Sequence, residues 1–126
     1  AIFVDGVTSD PSKDYQSFLE SLSALDGKGA NIHRLLTAAV GISAEGGEFM
    51  EIVKKIIFQG KPWNDDNREH LIIELGDVCW YVMQACAALN VTLDEVIEGN
   101  VNKLKKRYPG GDFDVHYSEN RKEGDR

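Results

Sequence analysis

This sequence is short of cations. Over 126 residues, 14 Lys and Arg face 21 Asp and Glu, for a formal net charge of −7 and a pI near 4.9. Sequence-independent nucleic-acid binding needs a basic surface that displaces phosphate counterions, so nucleic acid is excluded as the main partner. A nucleotide held through a divalent cation is not excluded, because the metal bridges carboxylate and phosphate. Cysteine is scarce: Cys79 and Cys86 stand about two turns apart on one apolar helical stretch, too far for a disulfide. They read as buried, reduced thiols suited to a reducing compartment. The opening AIFVDGVTSDPSKD carries neither a basic leader nor a long apolar run. The longest uncharged run, Val78 to Leu93, contains Gln84, Asn90 and Thr92 and is short for a membrane span. These features lead to the expectation of a cytoplasmic protein with no membrane partner. No internal repeat or low-complexity tract interrupts the chain, whose 42% hydrophobic and 28% charged residues are a normal globular mix.

The apolar periodicity is helical throughout. Residues 1–9 read as an irregular lead-in, and Asp10-Pro11 as a helix start with Asp10 as the cap. Phe18, Leu19, Leu22 and Leu25 form a short amphipathic stretch that Asp26-Gly27-Lys28-Gly29 breaks. A long helix is expected from near Asn31 to Phe58, with Gly41, Gly46 and Gly47 marking close backbone packing or a bend. The loop from Gln59 to Asp66 precedes a helix from about Asn67 to Leu89. Thr92-Leu93-Asp94-Glu95 has capping-box form and opens a last helix that Pro109-Gly110-Gly111 stops. One helical domain over residues 1–112 and a polar tail over 113–126 follow.

Two acid pairs carry the chemistry. Glu45 and Glu48, and Glu74 and Asp77, are each spaced i, i+3, which puts both side chains on one helix face. The second pair, with Tyr81 in the same sector, lies on a helix that is apolar nearly all round and is therefore expected to be buried. Acids in such a helix suffer a large desolvation penalty unless paired or metal-bound. Four carboxylates around one volume need a cation between them, and all-oxygen ligands favour Mg²⁺, Mn²⁺ or Ca²⁺. Such an ion polarises a phosphoryl oxygen while a carboxylate orients water. Surface ion pairs or a solvated acidic face are the plainer alternative. On the last helix Asn100, Lys103 and Arg107 share one face, a phosphate clamp or a basic end favoured by the helix dipole. In the loop Lys61 can reach a phosphate, and Trp63 either stacks on a base or caps the core. Arg34 and Lys55 fall on the acid-bearing side of the long helix. His33 reads as structural or exposed, and Cys79 and Trp80 as packing or a subunit contact.

Taken in order, RLLTAAVGISAEGGE (Arg34 to Glu48), IFQGKPW (Ile57 to Trp63), IIELGDVCWYV (Ile72 to Val82) and NVNKLKKRYPGG (Asn100 to Gly111) resemble the MazG-like branch of the all-α nucleoside triphosphate pyrophosphohydrolases. The resemblance implies an all-α bundle of four to five helices that completes its core by oligomerisation, as a homodimer or homotetramer. It implies Mg²⁺, with Mn²⁺ as a substitute, on Glu45, Glu48, Glu74 and Asp77, which would serve as both metal ligands and catalytic residues. Tyr81, Asn100 and Lys103 would contact the nucleotide, with Lys61, Trp63, Lys55 and Arg107 as further substrate-side candidates. The implied reaction is (d)NTP and water to (d)NMP and pyrophosphate, in pool sanitation or adjustment. The competing readings are a dUTPase-like or otherwise specialised nucleotide pyrophosphatase and a non-catalytic carboxylate-bundle metal or interaction protein. A di-iron bundle of the Glu-x-x-His kind is excluded, since Ala30, Asn67 and Phe113 stand three residues before the three histidines.

Overall fold

The computed structural model describes residues 1–111, and the expected tail over 113–126 lies outside them. Among the described residues the chain is all-helical, with α1 Ile2–Val7, α2 Asp10–Lys13, α3 Tyr15–Leu25, α4 Ile32–Phe58, α5 Asp65–Leu89 and α6 Leu93–Arg107. They fall into two compact units divided between Asn90 and Val91.

The lead-in expected to be irregular contains α1. Thr8 closes it, its backbone N–H and its hydroxyl both donating to the Val4 carbonyl, at 3.0 and 2.6 Å. None of its residues is buried, so local hydrogen bonds rather than core packing define this helix. The next helix also differs from expectation. Ser9, not Asp10, is the N-cap of α2, and Asp10 stands in its first turn. Asp14 then breaks the helix in an extended conformation and caps α3, its carboxylate accepting from the Ser17 N–H at 2.7 Å. A carboxylate that satisfies an orphan N–H favours a fresh start over continuation.

The long helices follow the caps written into the chain. Asn31 Oδ1 accepts from the Arg34 N–H at 3.1 Å to start α4. Gly60, at φ +73°, ends it by letting the Lys61 N–H turn back to the Lys55 carbonyl at 3.0 Å. Asn64 caps α5, accepting from the Asn67 N–H at 2.9 Å, so α5 begins two residues before the expected Asn67. Asn90, left-handed at φ 56°, terminates it. Thr92 Oγ1 accepts from the Glu95 N–H at 3.1 Å and starts α6 in the second unit.

Within the first unit α4 and α5 pack as an antiparallel pair. Their register is read from cross-links: the Asn31 N–H to the Ala88 carbonyl at 2.9 Å, then Arg34 Nε to Gln84 Oε1 at 2.9 Å, then Gly41 against the Tyr81 ring. Small residues make this close approach possible, and the buried apolar positions are Ala38, Ile52, Cys86 and Ala88. The expectation that α5 is buried nearly all round does not hold in the single chain. Ile73, Leu75 and Trp80 are 53%, 51% and 62% exposed, and Cys79 is exposed while Cys86 is buried. One partner helix covers only one stripe of α5, and the apolar residues on its other side remain open. By length and composition α5 also qualifies as a membrane-spanning helix, although it carries Glu74 and Asp77.

Candidate metal centre

The register that sets Gly41 on Tyr81 brings the next turn of α4 opposite the preceding turns of α5. Glu45 thereby meets Glu74 and Asp77, and one carboxylate oxygen from each lies within 4.8 Å of the other two. Asp77 is exposed, and the Glu74 side chain is 14% exposed. Its Oε1 faces His70 Nε2 at 3.3 Å, one turn back on α5, while its Oε2 is buried without a hydrogen-bond donor. A buried, unpaired carboxylate oxygen among other carboxylates is costly unless a proton or a cation reaches it.

The electrostatics agree. The Glu45 carboxyl is held above the usual carboxylate range, first because packing against α5 withdraws it from water. A hydrogen bond shared with Glu74 adds to this, followed by the charges of Asp77, Glu74 and Glu48. Mutual repulsion of this kind is what a divalent ion relieves, and the all-oxygen donor set suits a hard cation.

The structure gathers three of the four expected acids at ligand distance. Glu48 is exposed and outside the trio, although its charge is felt at Glu45. The register of α4 on α5 turns Glu45, and not Glu48, toward the second acid pair. His70 was not singled out by sequence reasoning; its i, i+4 spacing to Glu74 was the available signal. The Arg34–Gln84 bond was likewise missed, because only the helix register pairs them.

A cleft of about 420 Å³ opens beside the trio, lined by Leu36, Thr37, Val40, Gly41, Ala44, Glu45 and Tyr81. It is mostly apolar and has Glu45 at its edge, and its size falls in the range of small-molecule sites. The Thr37 hydroxyl is engaged with the His33 carbonyl at 3.2 Å. Lys55 is ion-paired with Glu51 at 3.6 Å, and Lys61 is half-buried in the loop after α4. Trp63 is 66% exposed, so the alternative that it caps the core of this chain is not met. Asn100, Lys103 and Arg107 lie on α6 in the second unit, where Asn100 is exposed and Arg107 has buried Nε and Nη2 atoms without a hydrogen-bond acceptor.

The MazG nucleotide pyrophosphohydrolase domain matches residues 34–111, a span that contains all of α4 but its first two residues, α5, α6 and all three trio acids. The chain belongs to the MazG nucleotide pyrophosphohydrolase domain family. A curated relative is the Gene 37 protein of Mycobacterium phage L5, 39% identical over 82 residues, which are 64% of this chain and 72% of the phage protein. Its name states no activity. No solved structure matches the chain. The all-helical architecture is consistent with the MazG fold, and α1 to α3 precede the matched span.

Proposed function

We propose that this MazG domain is a Mg²⁺-dependent nucleoside triphosphate pyrophosphohydrolase that converts a (d)NTP and water to the (d)NMP and pyrophosphate. The observation that carries the reading is the trio itself: three carboxylates within 4.8 Å, one with a buried oxygen that no donor reaches. Glu45, Glu74 and Asp77 would hold the ion. When bound, Mg²⁺, or Mn²⁺ in its place, supplies Lewis-acid polarisation of a phosphoryl oxygen and neutralises developing charge.

The chain's own groups supply the rest. Glu48, exposed beside Glu45 and outside the trio, is assigned to orient the water and accept its proton. The water oxygen bonds to the α-phosphorus, and the bond from that phosphorus to the bridging oxygen breaks, so pyrophosphate leaves. The cleft at Glu45, with Tyr81 as one wall, is assigned to the sugar and base. Trp63, exposed on its loop, is available to stack on the base. Lys61 and Lys55 are the cations of the same unit available to the phosphates, while Asn100, Lys103 and Arg107 of α6 are phosphate-side candidates on the family resemblance alone. The open apolar side of α5, with Ile73, Leu75 and Trp80, supports assembly of the chain with itself.

Product analysis of purified protein with each (d)NTP, with Mg²⁺ and then with EDTA, tests the reading. Monophosphate and pyrophosphate that vanish on chelation are expected. No turnover of any triphosphate would shift the assignment to a non-catalytic metal-binding bundle.

A further inference from the structure

Three glycines sit inside α4, and only one of them is required by what packs there. A Cβ built on Gly46 or Gly47 meets no atom within 4 Å. A Cβ on Gly41 would overlap Cγ, Cδ1 and Cε1 of Tyr81. Those atoms include the root of the ring, so a small swing of its far end does not clear the overlap. Gly41 is buried, and Tyr81 lies across it from α5. Both residues line the cleft that ends at Glu45. The place of the Tyr81 ring, and with it one wall of the cleft, is therefore set by the absence of a side chain at position 41.

We infer that Gly41 is a positioning residue for the substrate: by admitting the Tyr81 ring onto α4 it fixes the cleft wall against which the sugar–base half of the nucleotide lies. The inference rests on the proposed nucleotide reading of that cleft. Gly41 touches no reacting atom. Any side chain there forces the ring to move, and the cleft changes shape beside a metal centre whose ligands stay in place. The signature is a weakened grip on the nucleoside part with the phosphate chemistry kept.

The test compares Gly41→Ala, Tyr81→Ala and the double variant. Each is assayed for KM and kcat with the triphosphate that the wild type prefers, for affinity toward the α,β-methylene analogue of that triphosphate by calorimetry, and for thermal midpoint. Gly41→Ala is expected to raise KM and weaken the analogue by about tenfold or more, with kcat little changed, the pattern of lost uniform binding. In the Tyr81→Ala background the same substitution should change either value by less than about twofold, because the two effects are coupled through one contact. An equal loss in both backgrounds, or none in the wild-type background, overturns the inference. Should Gly41→Ala fail to fold, Tyr81→Leu with and without Gly41→Ala replaces it: a raised KM supports the assignment and an unchanged one overturns it. Wild-type protein that binds the analogue without hydrolysing the triphosphate refutes the reaction and leaves the positioning role standing on the binding data. A midpoint loss that depends on Tyr81 with no change in nucleotide affinity reduces Gly41 to packing and also overturns the inference.

Discussion

Replacing Glu74 by Gln should stabilise the metal-free protein and remove its response to Mg²⁺. Glu74 and Asp77 present carboxylate oxygens within 4.8 Å. Two unit charges at that separation repel by about 1 kcal/mol at the dielectric constant of water and by about 3.5 kcal/mol at an effective value near 20. Glu74 is only 14% exposed but Asp77 is exposed, so the lower end applies, about 1 to 2 kcal/mol. The substitution also places an amide where Glu74 Oε2 is buried without a donor, and that amide can donate to a neighbouring carboxylate. His70 Nε2 stands 3.3 Å from Glu74 Oε1, and a Gln oxygen keeps an acceptor at that place. A gain of about 1 kcal/mol corresponds to roughly 3–6 °C in thermal midpoint for a domain of this size. In saturating Mg²⁺ the order should invert. At a hundredfold excess over Kd an ion bound only by the folded state adds about 2.7 kcal/mol, which the wild type gains and the variant largely loses. Calorimetric melts in EDTA and in Mg²⁺ decide the matter. A variant less stable than wild type in EDTA, or stabilised by Mg²⁺ to the same extent, refutes the reasoning.

Three further outcomes follow from the same geometry. Asp77→Ala should abolish triphosphate turnover with an unchanged circular dichroism spectrum; full turnover would remove Asp77 from the metal set. Trp63→Ala should shift base preference or KM more than thermal midpoint, since the side chain is 66% exposed; an unchanged substrate profile would assign it no substrate role. The Glu45 carboxyl titrates above its ordinary range in the folded, metal-free chain. The folded state therefore holds a proton that the unfolded chain has already released, and stability falls as pH rises from the ordinary carboxylate value through the raised one. Denaturant titrations across that window in EDTA should show a steeper decline with pH for wild type than for Glu45→Gln, and parallel curves would contradict the assigned environment.

How much of this was legible in the chain depends on how local the cause is. Asn31, Thr92 and the Pro109-Gly110 stop are local signals, and α4 and α6 begin and end where they direct. Asp14 is just as local, but Pro11 directs an earlier start, and the bond from the Ser17 N–H to Asp14 shows only once the backbone breaks. The six residues of α1 are too few for a period to emerge. Composition says that α5 must be covered, yet it names no covering partner, and one chain leaves Trp80 open. At the site, i, i+3 spacing found Glu45, Glu74 and Asp77 because helix geometry fixes which residues share a face. That Glu48 stands outside the trio, that His70 sits on Glu74 and that Gly41 makes room for Tyr81 all depend on how α4 and α5 are registered. Small residues set that register, and their meaning appears only when the opposite helix is in place.

The central claim is that the carboxylate trio serves hydrolysis at the α-phosphorus, and isotope labelling tests it most directly. The protein is incubated with its preferred triphosphate in ¹⁸O-water, with and without chelator, and the products are weighed by mass spectrometry. The account predicts one ¹⁸O in the nucleoside monophosphate, none in the pyrophosphate released, and no labelled product in EDTA. Label in pyrophosphate or inorganic phosphate, or labelled monophosphate formed at full rate without metal, would contradict it.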